Sequence, residues 1–318
     1  MGSNYFYRFG RFAIVSGFVL SELPVIAESE LSNFTNRIHC ALQNAENLPN
    51  RRWDHIWWLE NSPSLWYKRR QDSHLLRFSK HIEFEVSLDL THVQIYCSTN
   101  VSFEYVCHAL VDQLLPRVVA HFGNLVLHGS GVLSENGAIL FLGDSGWGKS
   151  TIAHNLGEGG MSLISDDCLI LSADGCNHDS AYCIPTYPSL RLRKDTITRN
   201  YPGGVPIDST VISEAGKLRI PVSGFSKGDF SKEIRIQHIL FLSEPSSVGE
   251  ISISDIPSRV AVVELVNNCF RLDVNDVKQT ESLFSIAANI VEKTNVLRIS
   301  YPHDYSRLSE VADRIKLL

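Results

Sequence analysis

The sequence predicts an α/β fold: a P-loop domain over residues 122–318, preceded by a smaller, mostly β domain over residues 1–102 and a linking helix over 103–121. Three observations predict it. The octapeptide GDSGWGKS at 143–150 stands between an apolar run and a helical segment, as a phosphate-binding loop does. Beyond it, apolar strand-like runs alternate with helical spacings. Before it, short period-two runs bounded by turn residues follow one another. A chain of 318 residues suits two domains of about 100–200 residues each.

Residues 4–27 alternate around Gly10 and Gly17 as two short strands joined by a turn. Over 30–46, Leu31, Phe34, Ile38 and Leu42 fall at helical spacing and predict a helix. Five short strands follow at 53–59, 65–68, 75–78, 82–88 and 93–98, and the tryptophans between Trp53 and Trp66 read as core packing. Val106, Leu110, Leu114 and Val118 predict the helix over 103–121, bent or broken at Pro116. In the second half, strands are expected at 125–129, 138–142, 162–165, 234–242, 251–253 and 296–300. Helices are expected after the glycine loop, at 257–268, at 279–293 and from Asp304 to Leu317. Residues 196–232, rich in Gly, Ser, Pro and Lys, read as a long loop.

Composition narrows the function classes. Hydrophobic residues make up 44% and charged residues 20%, with a formal net charge of −6, so neither a polybasic nucleic-acid binder nor a disordered chain is indicated. Lys68-Arg69-Arg70 is a solvated face. The 7 cysteines contain no CxxC pair, and the Cys176, His178, Cys183 grouping reads as incidental, so free thiols and no zinc site are expected. The run Phe12–Leu20 is too short and too interrupted by Ser16 and Gly17 for a membrane span, which needs about 20 apolar residues. A cytoplasmic protein with no membrane partner is expected.

The loop carries the chemistry. Gly143, Gly148, Lys149 and Ser150 satisfy G-x-x-x-x-G-K-[ST]. Phosphate oxygens need several backbone N–H groups converging at close range, and glycines at 143, 146 and 148 let the chain wrap that tightly. A helix N-terminus adds free N–H groups and a favourable dipole. Lys149 supplies a full charge for the β/γ-phosphates, and Ser150 a hydroxyl for Mg²⁺. The nucleotide contacts expected are therefore Gly143, Asp144, Ser145, Gly146, Trp147, Gly148, Lys149, Ser150 and Thr151, with ATP and Mg²⁺ as cofactors. No NKxD base-reading element accompanies the loop, which argues against a GTPase.

Asp166-Asp167 closes the strand that follows the loop helix, where P-loop proteins place a Mg²⁺-handling carboxylate. One aspartate can serve the metal and the other can accept a proton from an attacking hydroxyl. His128, in Leu127-His128-Gly129-Ser130-Gly131, falls near the nucleotide edge if its strand pairs with the strand of the loop.

The order LHGSGV, GDSGWGKST, SDDCLIL resembles the catalytic domain of the HPr serine kinase/phosphorylase family, whose superfamily includes phosphoenolpyruvate carboxykinase. It is most similar to a divergent, HPr-kinase-related branch. That branch starts with a tyrosine-rich strand like Tyr5-Phe6-Tyr7-Arg8-Phe9-Gly10 and carries a segment like Tyr187-Pro188-Ser189-Leu190-Arg191-Leu192. Some of its members resemble kinases of lasso-peptide precursors. The resemblance implies Asp167 as general base with His128 beside it, and Asp166 with Ser150 at Mg²⁺. It leaves Arg191, Arg193, Lys217 and Arg219 as candidates for gripping transferred charge or substrate. Two departures matter: Thr151 stands where the family has glutamate, and the phosphorylase-linked Glu-x-Arg-Gly-x-Gly stretch is missing. Phosphorylase activity is therefore not carried over.

The expected function is transfer of the γ-phosphoryl group of ATP to a serine of a peptide or protein, with homo-oligomerisation left open. Phosphorylation of a small hydroxylated metabolite and a non-catalytic nucleotide-binding role are the competing readings.

Overall fold

A computed structural model describes residues 4–59, 62–79, 81–173, 179–187, 189–192, 196–198, 210–211, 218–221, 232–244, 249–302 and 304–318. The fold is mixed α/β and divides into two compact units, Met1–Gly123 with Arg271–Thr280, and Asn124–Phe270 with Glu281–Leu318.

The first unit is built on an eight-stranded sheet. Its strands are β1 (Tyr5–Phe9), β2 (Phe12–Ser16), β3 (Asn36–Ala45), β4 (His55–Leu59), β5 (Ser62–Arg69), β6 (Ser73–Phe78), β7 (Ile82–Ser87) and β8 (His92–Ser98), in spatial order β1-β2-β3-β8-β7-β6-β5-β4. The helix expected over 30–46 is not formed. A 3-10 turn at Glu28–Asn33 leads into β3, which lies parallel to both β2 and β8. The apolar spacing was degenerate: Ile38 and Leu42 fit a helical stripe, but Ile38, Cys40 and Leu42 also alternate with Arg37, His39, Ala41 and Gln43, and burial follows the second period. The tryptophans also depart from expectation. Trp58 is 62% exposed, and Trp53, Trp57 and Trp66 are only half-buried. Leu65, Tyr67, Leu75, Leu76 and Phe84 make that part of the core instead.

The chain is helical from Phe103 to His121, and Pro116 does not end it. Segments α1 (Phe103–His108) and α2 (Leu115–His121) flank a π-helical stretch, Ala109–Leu114. Proline lacks an N–H and its ring crowds the carbonyl four residues back. The wider π turn just before it relieves both demands.

A polar chain with His74 and Tyr67 buried at its centre ties the segment Arg271–Thr280 into this unit. Arg69 Nη1 lies 2.5 Å from Nε2 of His74 and 3.1 Å from its Nδ1. Nδ1 lies 2.9 Å from the Tyr67 hydroxyl, whose pKa is pushed up by burial and then by the Asp273 carboxylate beside it. Burial, followed by the Arg69 charge, pushes the His74 pKa down to about 4.

The second unit is a sheet covered on both faces. Its strands are β9 (Leu125–Leu127), β10 (Gly129–Ser134), β11 (Gly137–Leu142), β12 (Ser162–Ser165), β13 (Leu169–Ser172), β14 (Tyr182–Ile184), β18 (Ile234–Leu242), β19 (Ser252–Asp255) and β20 (Asn295–Ser300). The main path runs β12-β10-β11-β18-β14-β13-β9, and β20 lies parallel to β18. The helices are α3 (Lys149–Glu158), α4 (Ser258–Asn267), α5 (Val277–Glu292) and α6 (Leu308–Lys316). Ile139, Phe141, Leu240 and Leu242 pack with Ile152 and Leu156 of α3 and Ile315 of α6. Leu140, Leu142, Ile239 and Phe241 pack with Leu265 of α4 and Leu283 and Ile290 of α5. Burial on both faces explains the unbroken apolar runs of β11 and β18.

Three short strands, β15 (Ser189–Leu192), β16 (Thr210–Val211) and β17 (Leu218–Pro221), form a separate sheet in order β15-β17-β16. Two of them fall inside the region read as loop. Cross-strand hydrogen bonding, of β17 to β15 and of β16 to β17, not local propensity, makes them strands.

Candidate functional site

The loop between β11 and α3 is built on left-handed backbone. Gly143, Gly146 and Gly148 have φ of 143°, 87° and 96°. At Gly148 a side chain is excluded twice over, because a Cβ would also lie 2.5 Å from the Tyr301 hydroxyl. That hydroxyl donates to the carbonyl of Trp147 at 2.5 Å and pins the loop from below. Burial pushes its pKa upward, so it stays a donor. Gly148 caps α3 without a side-chain bond, so the first N–H groups of the helix have no intrahelical acceptor. Lys149 is buried, and its ammonium donates to the carbonyls of Gly143 at 2.7 Å and Asp144 at 3.0 Å. Asp144, Ser145 and Gly146 are exposed at the tip, and Trp147, Ser150 and Thr151 are half-buried.

Strand register brings the other candidates to this loop. The strand expected over 125–129 is broken at His128, and β10, not β9, forms the hairpin with β11. Gly129 pairs with Leu142 immediately before the loop. On its other side β10 pairs with β12, Gly131 opposite Ser165. β9 pairs with β13, Leu127 opposite Leu169. The chain thus crosses from β9 to β10 at His128 right beside its crossing from β12 to β13 at Asp166–Cys168. The close approach needs glycine: a Cβ on Gly129 would lie 2.6 Å from Leu142 Cδ2, 2.7 Å from the Phe141 carbonyl and 2.9 Å from Leu169 Cδ1.

The two aspartates face different partners. Asp166 is 1% exposed, and its Oδ1 accepts from Ser150 Oγ at 2.9 Å and from Ser130 Oγ. Asp167 adopts φ 66°, a left-handed conformation that costs a non-glycine residue on the order of 1 kcal/mol. That conformation turns its carboxylate towards His128, with Oδ1 3.7 Å from Nε2. The His128 side chain is 40% exposed and its ring meets Phe270 edge-on at 6.1 Å, while the backbone N–H of His128 donates to the Asn268 carbonyl at 3.1 Å. One carboxylate is thus buried against a hydroxyl at a helix N-terminus, and its neighbour opens towards an accessible imidazole.

Arg191 and Arg219 are Cα partners across β15 and β17. Their side chains, and Arg193 and Lys217 altogether, lie outside the described residues, as do Cys176 and His178. Four residues of the site went unseen in the sequence: Ser130, Tyr301, and the hydroxyl pair Ser165 and Thr186. Ser130 and Ser165 carried a signal, standing inside the LHGSGV and SDDCLIL motifs.

No family model matches the chain, and no curated protein does. Among solved structures, the Hpr(Ser) kinase/phosphatase from Coxiella burnetii is similar over 60% of this chain and 94% of that one, at 14% identity and a TM-score of 0.29. A score of that size does not establish a common fold. Among the described residues, no helix is long and apolar enough to cross a membrane.

Proposed function

We propose that this chain is an ATP-dependent kinase that phosphorylates a serine hydroxyl of a peptide or protein. The observation that carries the reading is the convergence of the glycine loop, the Ser150–Asp166 contact at 2.9 Å and the Asp167–His128 pair at 3.7 Å. Convergent N–H groups, the N-terminal end of α3 and the Lys149 ammonium suit a polyphosphate. Ser150 Oγ and Asp166 Oδ1, 2.9 Å apart, are hard oxygen donors of the kind that suits Mg²⁺. They would hold Mg²⁺, which neutralises charge on the β- and γ-phosphates.

The chain's own residues divide the remaining work. Asp167 accepts the proton of the acceptor hydroxyl as its oxygen bonds to the γ-phosphorus and the bond to the bridging β,γ-oxygen breaks. His128, within reach of the same carboxylate, orients it and steadies its charge. Lys149 follows the transferred charge when it leaves the loop carbonyls. Arg191 and Arg219, with Arg193 and Lys217, are proposed to meet the substrate. The choice of a serine acceptor rests on the motif resemblance alone.

Incubation with γ-labelled ATP, Mg²⁺ and candidate peptides tests the reading. Label in a peptide serine, lost in Asp167→Asn and Lys149→Ala, is the expected result. Label in a small hydroxylated compound would move the acceptor class. ATP binding with no transfer to any acceptor would leave a nucleotide-binding accessory protein.

A further inference from the structure

The Asp166-Asp167 turn is held by two buried hydroxyls, Ser165 at the head of the SDDCLIL motif and Thr186 outside every motif. Ser165 Oγ donates to the Cys168 carbonyl at 2.7 Å, closing the turn from its first residue to its last. Thr186 Oγ1 lies 3.1 Å from the same carbonyl and 2.7 Å from Ser165 Oγ. Both residues are fully buried, at 0% exposure. Register explains why Thr186 is there. β13 and β14 pair with Ile170 opposite Ile184, so continuing the ladder by two residues sets Thr186 opposite Cys168. Two hydroxyl protons serve three short contacts, so one proton is shared and the three groups move together.

The turn they span is the one with left-handed backbone at Asp167. A left-handed, non-glycine residue persists only where its surroundings over-determine it. Relaxing the turn would swing Asp167 away from His128 and draw Asp166 off Ser150. We infer that Thr186 and Ser165 are positioning residues, a hydroxyl clamp that fixes the aspartate pair for Mg²⁺-dependent nucleotide binding and proton acceptance. The inference rests on the kinase reading and adds a function for two hydroxyls to which that reading assigns none.

The test is the Mg²⁺ linkage of ATP binding to the full chain, the ratio of ATP affinities with Mg²⁺ and with EDTA, measured by calorimetry. Wild type is expected to show a clear linkage. Thr186→Val, close in shape but without the hydroxyl, should lose about fivefold of it, the size expected for one buried hydrogen bond. Its metal-free ATP affinity should stay within about twofold of wild type, because the glycine loop is untouched. Thr186→Ser should restore the linkage, and Ser165→Ala should behave like Thr186→Val. Full wild-type linkage in a folded Thr186→Val overturns the clamp and leaves the kinase reading standing. Failure of both Thr186→Val and Ser165→Ala to fold, with Thr186→Ser folded, overturns it too, since the hydroxyls then serve the fold as a whole. A wild type that binds no ATP with or without Mg²⁺ removes the kinase reading and the clamp's role with it.

Discussion

The molecule carries two polar clusters that a sequence reader would rank alike, and they are built on opposite rules. In the first unit, Arg69, His74, Tyr67 and Asp273 form a chain that runs from an obligate donor to an obligate acceptor. His74 is 1% exposed, and none of the four residues has left-handed backbone. In the second unit, Asp166 shares one oxygen between two hydroxyls, Asp167 sits in a left-handed conformation, and His128 opens to solvent. A chain that runs through a buried histidine and a buried tyrosine holds a fold together. An accessible cluster held in a conformation it would not choose is equipped to meet a ligand. Aspartates, histidines and hydroxyls alone do not separate the two; strain and access do.

The sharpest way to break that contrast is at Asp167. Asp167→Asn should lower phosphotransfer by roughly 10²–10⁴-fold, the range of a general base, while thermal unfolding stays within a few degrees of wild type. A large loss of stability would place Asp167 with the structural cluster instead. Gly129→Ala comes next, because its Cβ would meet the Phe141 carbonyl at 2.7 Å, and backbone cannot yield as a side chain can. A destabilisation of about 1–3 kcal/mol, read by urea unfolding, is expected.

At the other cluster, Tyr67→Phe should cost about 1–3 kcal/mol by leaving buried partners unmatched, with ATP affinity unchanged. The histidine of that cluster adds a pH signature. The folded pKa of His74 is about 4, below the ordinary 6.5, so between those values the unfolded chain binds more protons than the folded one. Stability should be full above pH 6.5 and fall as the pH drops towards 4, by at most about 3 kcal/mol. Denaturant titrations across that window check it, and His74→Gln should flatten the slope. Smallest of all, Glu310→Ala removes an exposed pair with Arg307 and should leave the thermal unfolding midpoint indistinguishable from wild type.

The parts of the candidate site that were legible in sequence are those where local chemistry dictates residue type. A loop that turns on left-handed backbone into a helix calls for glycines, so positions 143, 146 and 148 could be read directly. Asp166-Asp167 could be read because it ends a strand after that helix. Ser130, Ser165, Thr186 and Tyr301 could not, because each acts through a partner at least three and up to 154 residues away in the chain. β3 was misread because apolar residues four apart satisfy both a helix and a strand. The helix over 103–121 was legible in its apolar spacing, but the π turn before Pro116 was not, because spacing carries no sign of it.

The return of Arg271–Thr280 to the first unit bears on how this protein could be cut or recombined. The partner of the Tyr67 hydroxyl, Asp273, is encoded some two hundred residues downstream of it, beyond most of the second unit. A fragment ending at Gly123 would contain all eight strands of its sheet and still lack that carboxylate. The first unit is therefore not a detachable cassette: a fusion or swap that breaks the chain near residue 123 must carry the distant segment with it.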